Sequence, residues 1–328
     1  MGRQVKFKVG IIGCGLIGSK RAKFLGPYGK LVACADKNIK TLRKFYSNKK
    51  IKRFINWQKL LKLEEIDIVI IATPHFELAK ILIEAYNKKK HILVEKPAAK
   101  NFTEVKKIVK KIKNNKIKIR VGYNHRYHPS VLRAKKIIKN GMIGKLMYIR
   151  ARYGHGGRIG YEKEWRAKKS LSGGGELLDQ GSHLIDLSRM FLGEFVKISG
   201  TTNTFFWKMK VDDNAFLILS TNKKRIAFLH ASWTEWKNMF SFEIFGTKGK
   251  IDINGKGGSY GVENIILYKM KKKMGKPNEK KWVYKNKDIS WVYEMKEFYK
   301  DIMYNRKPSI NLMDAYQTLK IIDKIYRQ

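Results

Sequence analysis

KFKVGIIGCGLIGSKRAKFL, residues 6–25, is the stretch that decides the fold. Lys6 to Ile12, with Val9, Ile11 and Ile12 apolar, reads as a short buried strand. It enters Gly13-Cys14-Gly15-Leu16-Ile17-Gly18, and Ser19 to Leu25 reads as a helix. Leu31-Val32-Ala33-Cys34-Ala35 is a second strand that ends on Asp36, an acid 18 residues past the last glycine. Glycines in this order permit a tight turn, close approach of a pyrophosphate and close helix–strand packing, while the helix N-terminus offers N–H groups to phosphate. The predicted dinucleotide contacts are Gly13, Gly15, Leu16, Ile17 and Gly18, with the Asp36 carboxylate accepting from the ribose hydroxyls. A 2′-phosphate would meet that carboxylate, so NAD is expected over NADP. Lys37 and Arg43 lie close enough in sequence to temper the preference, which keeps NADP possible.

Outward from this stretch the alternation continues. Ile66–Ala72 is a nearly unbroken apolar strand, as a parallel sheet requires, and Phe76–Asn87 is helical. His91–Val94 is the next strand. In the helix after it, Val105, Ile108, Val109 and Ile112 repeat at i, i+3, i+4 and i+7 behind an Asn101/Glu104 capping pair. Ile117–Val121 closes a doubly wound sheet. Ligands in such sheets lie beyond the carboxyl ends of the strands, where Thr73-Pro74-His75 and Glu95-Lys96-Pro97 fall. The sequence therefore predicts a Rossmann domain over 1–122 and an α+β domain over 123–328.

The glycine fingerprint, Ala72-Thr73-Pro74, Val94-Glu95-Lys96-Pro97, and Gly173-Gly174-Gly175 followed by Asp179 and His183 come in an ordered combination. That combination closely resembles the Gfo/Idh/MocA oxidoreductases, the family of glucose–fructose oxidoreductase and inositol dehydrogenase. The resemblance implies that Ala72, Thr73, Pro74 and Glu95 line the cofactor, that Lys96 lies beside the nicotinamide and touches the substrate hydroxyl, and that Asp179 and His183 are catalytic or substrate-binding. One departure stands out. Where many members carry A-T-P-N-x-x-H, His75 and Leu78 replace Asn and His. Gly122 to Pro129 resembles the family's junction segment, with Asn124 and Arg126 directed to the substrate. Its two histidines, His125 and His128, lack metal-ligand spacing, and no metal is expected.

The second half supplies the substrate side. Val131–Lys139 reads as a helix and Leu146–Tyr153 as a strand, followed by a glycine-rich loop through Arg158 and then Trp165-Arg166. Tyr153, Trp165 and Arg166 are candidate substrate contacts. From Glu176 a helix is expected on which Asp179, His183 and Asp186 share one face among apolar neighbours. After residue 195, five apolar runs separated by turns predict a largely antiparallel open sheet. In the family that sheet's open face packs against another subunit, which implies a homodimer or homotetramer.

Composition bounds the alternatives. The chain has 328 residues, 43% hydrophobic and 12% aromatic, as a folded protein requires. No run approaches the 18 apolar residues of a membrane span. With no apolar secretion core near the N-terminus, Cys14 and Cys34 are expected as reduced thiols in the cytoplasm. The net charge is +44, from 56 lysines and 15 arginines against 27 acids. The lysines are spread along the chain in runs no longer than Lys88–Lys90 and Lys271–Lys273. Base-reading modules favour arginine, so the excess reads as solvated helix faces rather than a nucleic-acid site.

The expected chemistry is reversible oxidation of a secondary alcohol on a sugar, cyclitol or nucleotide-linked sugar. Hydride leaves for nicotinamide, His183 or Lys96 takes the hydroxyl proton, and Asp179 orients the imidazole. The alternatives are an NAD-dependent glycosidase that oxidises its sugar transiently, a dinucleotide-binding regulator without turnover, and a nucleic-acid-binding protein.

Overall fold

The structure is a computed structural model that describes residues 7–45, 50–112, 116–285 and 288–328. Lys6, where the predicted first strand begins, lies outside the described residues. Two compact units are present. One closes at Tyr123 and takes back Trp291–Gln317; the other holds Asn124–Ser290 and Thr318–Gln328.

The first unit is a six-stranded parallel sheet. Its strands are β1 (Phe7–Ile12), β2 (Gly29–Ala35), β3 (Lys52–Phe54), β4 (Ile68–Ile71), β5 (His91–Glu95) and β6 (Ile119–Gly122), in the order β3-β2-β1-β4-β5-β6. The order reverses between β1 and β4, the place where such sheets bind dinucleotides. The crossovers are α1 (Leu16–Lys23), α2 (Ile39–Lys44), α3 (Trp57–Leu61), α4 (His75–Asn87) and α5 (Phe102–Lys111). The first helix starts three residues before Ser19, because its N-terminus begins directly on the glycine turn, with Gly15 as cap. Asn101 caps α5 by accepting from Glu104 N–H at 2.9 Å. Glu104 reaches back one residue further than a capping box would, to the N–H of Lys100. Val9, Ile11, Ile68, Ile70 and Leu93 form the core, covered by Met295, Phe298 and Tyr299 of the returning segment.

The second unit is built on an eight-stranded sheet. Its strands are β7 (Leu146–Gly154), β8 (Phe195–Asn203), β9 (Asn214–Thr221), β10 (Ile226–Ser232), β11 (Met239–Gly246), β12 (Gly249–Asn254), β13 (Glu263–Lys269) and β14 (Asn278–Tyr284). They run in the order β14-β13-β12-β11-β7-β10-β9-β8, and every pairing is antiparallel except β7 with β10. Three strands escape the sequence reading. The first, β3, is three residues long, while β14 (NEKKWVY) is an edge strand whose lysines mask its alternation. The third, β13 (ENIILYK), stands after a glycine-rich loop that breaks the pattern.

Helices α6 (Pro129–Lys139) and α8 (Ser182–Leu192) pack on this sheet, α6 against β12 to β14 and α8 against β7 and β10, with the short α7 (Lys169–Ser172) between them in the chain. The expected single helix from Glu176 is not continuous α. Leu177–Gly181 forms a wide turn with i→i+5 bonds, and α8 follows it. Side chains before and after that turn therefore lose the simple i, i+4, i+7 stripe. On the opposite face Ile218, Ile226 and Phe228 are 52%, 42% and 45% exposed, and Tyr148 stacks on Phe245 at 4.2 Å.

Candidate active site

The first unit carries a phosphate-binding turn made of backbone. Gly13 has φ +96°, and a side chain there would lie 2.5 Å from the Ala72 carbonyl. A Cβ on Gly18 would lie 1.8 Å from the Gly13 carbonyl, so α1 can meet the turn only as glycine. Gly15 has open space around its Cβ position, as the approach of a ligand requires. Asp36 accepts from Cys14 N–H and Asn38 N–H, both at 2.8 Å. A carboxylate has about four acceptor positions, so capacity remains for ribose hydroxyls. The Lys37 ammonium lies over the Phe76 ring at 5.1 Å. Leu16 is exposed at the start of α1, and Ile17 is half-buried beside it. These features fit an NAD adenosine diphosphate.

Beyond β4, Ala72, Thr73 and Pro74 are half-buried, and His75, the first residue of α4, is buried. Beyond β5, Glu95 to Ala98 form a tight turn closed by Ala98 N–H to the Glu95 carbonyl at 2.9 Å. The Lys96–Pro97 bond within it is cis. Glu95 is held from behind by Arg21 Nε at 2.6 Å, and Arg21 also pairs with Glu294. Burial alone would lower the pKa of Arg21, but Glu294 and Glu95 outweigh it and raise it. Burial pushes the Glu294 carboxyl up, against the pull of Arg21. Gly122 leaves room for this pair, since a Cβ there would lie 2.7 Å from the Arg21 guanidinium. Lys96, half-buried, thus sits on a turn anchored by a buried ion-pair cluster.

The second unit carries a cluster made of side chains. In Gly173-Gly174-Gly175 the first glycine has φ +89°, and at the other two nothing larger fits. A Cβ on Gly174 would strike Tyr326, and one on Gly175 would lie 1.9 Å from the Asp212 carbonyl. Asp212 accepts from Gly175 N–H and Leu177 N–H at 3.0 and 2.8 Å, which fixes the start of the wide turn. Asp179, in that turn, lies 3.3 Å from Arg166, whose guanidinium covers the Trp165 ring at 4.6 Å. Asp186 receives Arg126 on both oxygens, at 2.7 and 2.5 Å. His183 is buried and lies flat on His125, with ring centroids 3.6 Å apart and planes within 8°.

Around this pair the environment is aromatic and polar. Tyr153 OH lies 3.2 Å from His125 Nε2, and Lys256 Nζ donates to Tyr153 OH at 3.1 Å. Gln180 donates to Tyr260 OH at 3.2 Å. Burial holds the Tyr153 phenol well above its ordinary pKa and pushes Tyr260 up to about 12, so both remain protonated donors. Burial also lowers His155, against the pull of Asp179. Its Nδ1 accepts from Gly157 N–H at 2.9 Å, which leaves the proton on Nε2. Asn124 is buried and donates to Ser290 Oγ at 2.9 Å.

Sequence reasoning weighed His125 only as a metal ligand and passed over Gln180, Lys256 and Tyr260. Lys256 lies between Gly255 and Gly257, both at positive φ, and nothing in the string separates it from the other lysines. Among the described residues no group of His, Cys, Asp and Glu is disposed to hold a metal ion, and no helix is long and apolar enough to cross a membrane.

Comparison with known proteins adds to this geometry. Residues 7–123 match the model of an oxidoreductase family with an NAD-binding Rossmann fold, and residues 131–252 match the GFO/IDH/MocA C-terminal domain. Levoglucosan dehydrogenase of Pseudarthrobacter phenanthrenivorans is 29% identical over 226 residues, 61% of this chain and 58% of that protein. Trans-1,2-dihydrobenzene-1,2-diol dehydrogenase of Xenopus tropicalis is 24% identical over 303 residues, 91% of this chain and 89% of that protein. Among solved structures, levoglucosan dehydrogenase in complex with NADH and levoglucosan superposes with a TM-score of 0.88 at 24% identity, covering 98% of this chain and 96% of that one.

Proposed function

From the chain's membership of the Gfo/Idh/MocA oxidoreductase family, with its NAD-binding Rossmann domain, we propose that it oxidises a secondary alcohol of a sugar, cyclitol or nucleotide-linked sugar, reversibly. Bound NAD supplies the hydride acceptor. Lys96 donates a hydrogen bond to the reacting hydroxyl and stabilises the developing alkoxide charge. His183 accepts the hydroxyl proton, and Asp179, paired with Arg166, keeps a negative charge near the imidazolium that results. Asn124, Arg126, Tyr153, Trp165 and Arg166 bind and orient the substrate, Arg126 by way of Asp186.

The observation that carries this reading is what each unit holds by itself. One unit holds a dinucleotide turn next to an anchored lysine; the other holds a buried histidine among protonated phenols and paired carboxylates. The relatives add support through levoglucosan, a sugar derivative bound to one of them. The test is a panel of sugars, anhydrosugars, inositols and nucleotide sugars, followed by NADH absorbance. Substrate-dependent NADH formation is expected; free sugar released from a glycoside without net NADH would favour the transient-oxidation alternative.

The second unit's exposed face supports self-association. Ile218, Ile226, Phe228 and Tyr148 form a contiguous apolar strip across β9, β10 and β7, a surface that pairs with its own copy. A dimer or tetramer by light scattering, converted to monomer by Phe228→Asp, is the expected result. The free buried thiols Cys14 and Cys34 suit a reducing compartment such as the cytoplasm.

A further inference from the structure

The hydrogen bonds around His125 run in one direction. Lys256 follows β12 between two left-handed glycines and is 7% exposed. Its ammonium meets His125 Nε2 and sits over the rings of Tyr153, Phe240 and Tyr260 at 4.2, 5.0 and 5.6 Å. An ammonium only donates, so His125 must present the Nε2 lone pair and carry its proton on Nδ1. Nδ1 faces Asn124 Oδ1 at 3.2 Å. Asn124 then gives its amide to Ser290 Oγ at 2.9 Å, and Ser290 gives its hydroxyl to Asp288 Oδ1 at 2.6 Å. A cation at one end and a carboxylate at the other leave each link a single polarity.

Protonating His125 would place an imidazolium against the ammonium and remove the acceptor that Lys256 uses. His125 is therefore fixed as a neutral ring, and His183 stacks on it at 3.6 Å. Other titratable and charged groups stand around His183. Asp179 and Asp186 flank it on its own stretch of chain, and each is matched by an arginine, Arg166 and Arg126. Tyr153, with its ring 6.2 Å from that of His183, and Tyr260 are held protonated. Glu176 is buried at the start of the wide turn. His128, edge-on to His125, is paired with Glu263. Lys256 adds a positive charge at the edge of the ring on which His183 lies, and a nearby cation disfavours a second one.

We propose that Lys256 is a positioning residue that fixes His125 as its neutral Nδ1–H tautomer and thereby keeps His183 unprotonated, in the state that accepts the substrate proton. The proposal rests on the reading of His183 as proton acceptor, and it assigns the poise of that residue to a lysine 73 positions away in sequence.

The test uses the full chain with NAD bound and 15N-labelled histidine. Nuclear magnetic resonance follows the His125 and His183 imidazoles through pH 5–9, and kcat/KM is measured over the same range. In the wild type, His125 should hold its proton on Nδ1 throughout. Lys256→Met keeps the length of the side chain and removes its charge, and it should raise the His183 titration midpoint by about one pH unit. The acid limb of kcat/KM should move up by the same amount. Lys256→Arg should return both toward wild type. If the midpoint rises and the acid limb does not, the role of Lys256 stands and His183 is not the acceptor. An unchanged midpoint overturns the proposal. So does wild-type His125 carrying its proton on Nε2 or titrating as a cation near pH 7, a result that needs no variant.

Discussion

The two units make their functional surfaces from different materials. In the first, the turn after β1 is backbone: Gly13, Gly15 and Gly18 matter because of what they lack, and the parallel sheet fixes where the turn lies. In the second, His125, Tyr153, Asp179 with His183, and Lys256 with Tyr260 come from four separate stretches of the chain, and side chains form the surface. A backbone site of one strand–turn–helix unit is local in sequence and serves any dinucleotide. A side-chain site drawn from distant segments can change substrate by changing one contributor while the sheet stays as it is.

The sharpest way to break this comparison is to remove one chemical group from each unit. Lys96→Ala and His183→Ala should each lower kcat by about 10²-fold or more, with NAD binding by calorimetry preserved, because the proposed chemistry has both act on the substrate hydroxyl rather than on the adenosine. Near-normal kcat in both variants would remove the proposed chemistry.

Next in size are the buried arginines. Arg21 supports the Glu95–Ala98 turn, and Arg126 holds Asp186. Arg21→Met and Arg126→Met each leave a buried carboxylate without its cation, and each should cost about 3–5 kcal/mol in chemical denaturation. If Arg126→Met costs under about 1 kcal/mol while Arg21→Met is severe, the second unit's polar cluster is looser than its geometry indicates.

A smaller effect is expected at Asp36, the side chain proposed to favour NAD at the backbone-built site. Asp36→Ser should narrow the preference for NAD over NADP by roughly tenfold in kcat/KM. A wild type that prefers NADP would mean that Lys37 and Arg43 outweigh the carboxylate.

The smallest effect separates the units by pH. Burial lowers the pKa of His91 in the first unit and of His155 and His230 in the second. Such a group is neutral in the folded protein while the unfolded chain, with an ordinary histidine pKa of about 6.5, takes up a proton. Stability is therefore full above about pH 6.5 and falls as the pH drops below it toward the folded-state values. Melting temperature should fall between pH 7.5 and 5.5, and His155→Gln with His230→Gln should together remove more of that slope than His91→Gln, because two of the three groups lie in the second unit. A slope carried by His91 alone would place this pH dependence in the first unit.

The Rossmann unit and the order of its elements were legible because each signal is local. An apolar run, a glycine turn and a terminal acid are set by a few neighbouring residues. The same held for Lys96, whose neighbours Glu95 and Pro97 and preceding strand mark it out. Asp179, His183 and Asp186 were legible as polar residues on an apolar stretch, but their partners were not. Sequence spacing put them on one helical face, whereas Asp179 lies within the wide turn at Leu177–Gly181 and meets Arg166, while His183 and Asp186 lie on α8 and meet His125 and Arg126. Lys256 was invisible as one of 56 lysines, and only the pairing of β12 with β11, which in turn pairs with β7, brings it to His125. By itself the sequence determined the dinucleotide turn, the alternation and the lysine after β5, since steric and hydrophobic constraints between near neighbours act before the chain is folded. Tertiary structure alone decided which charges meet and which histidine faces the Lys256 ammonium, because such a contact depends on distance and desolvation, and neither is written in the spacing of residues along the chain.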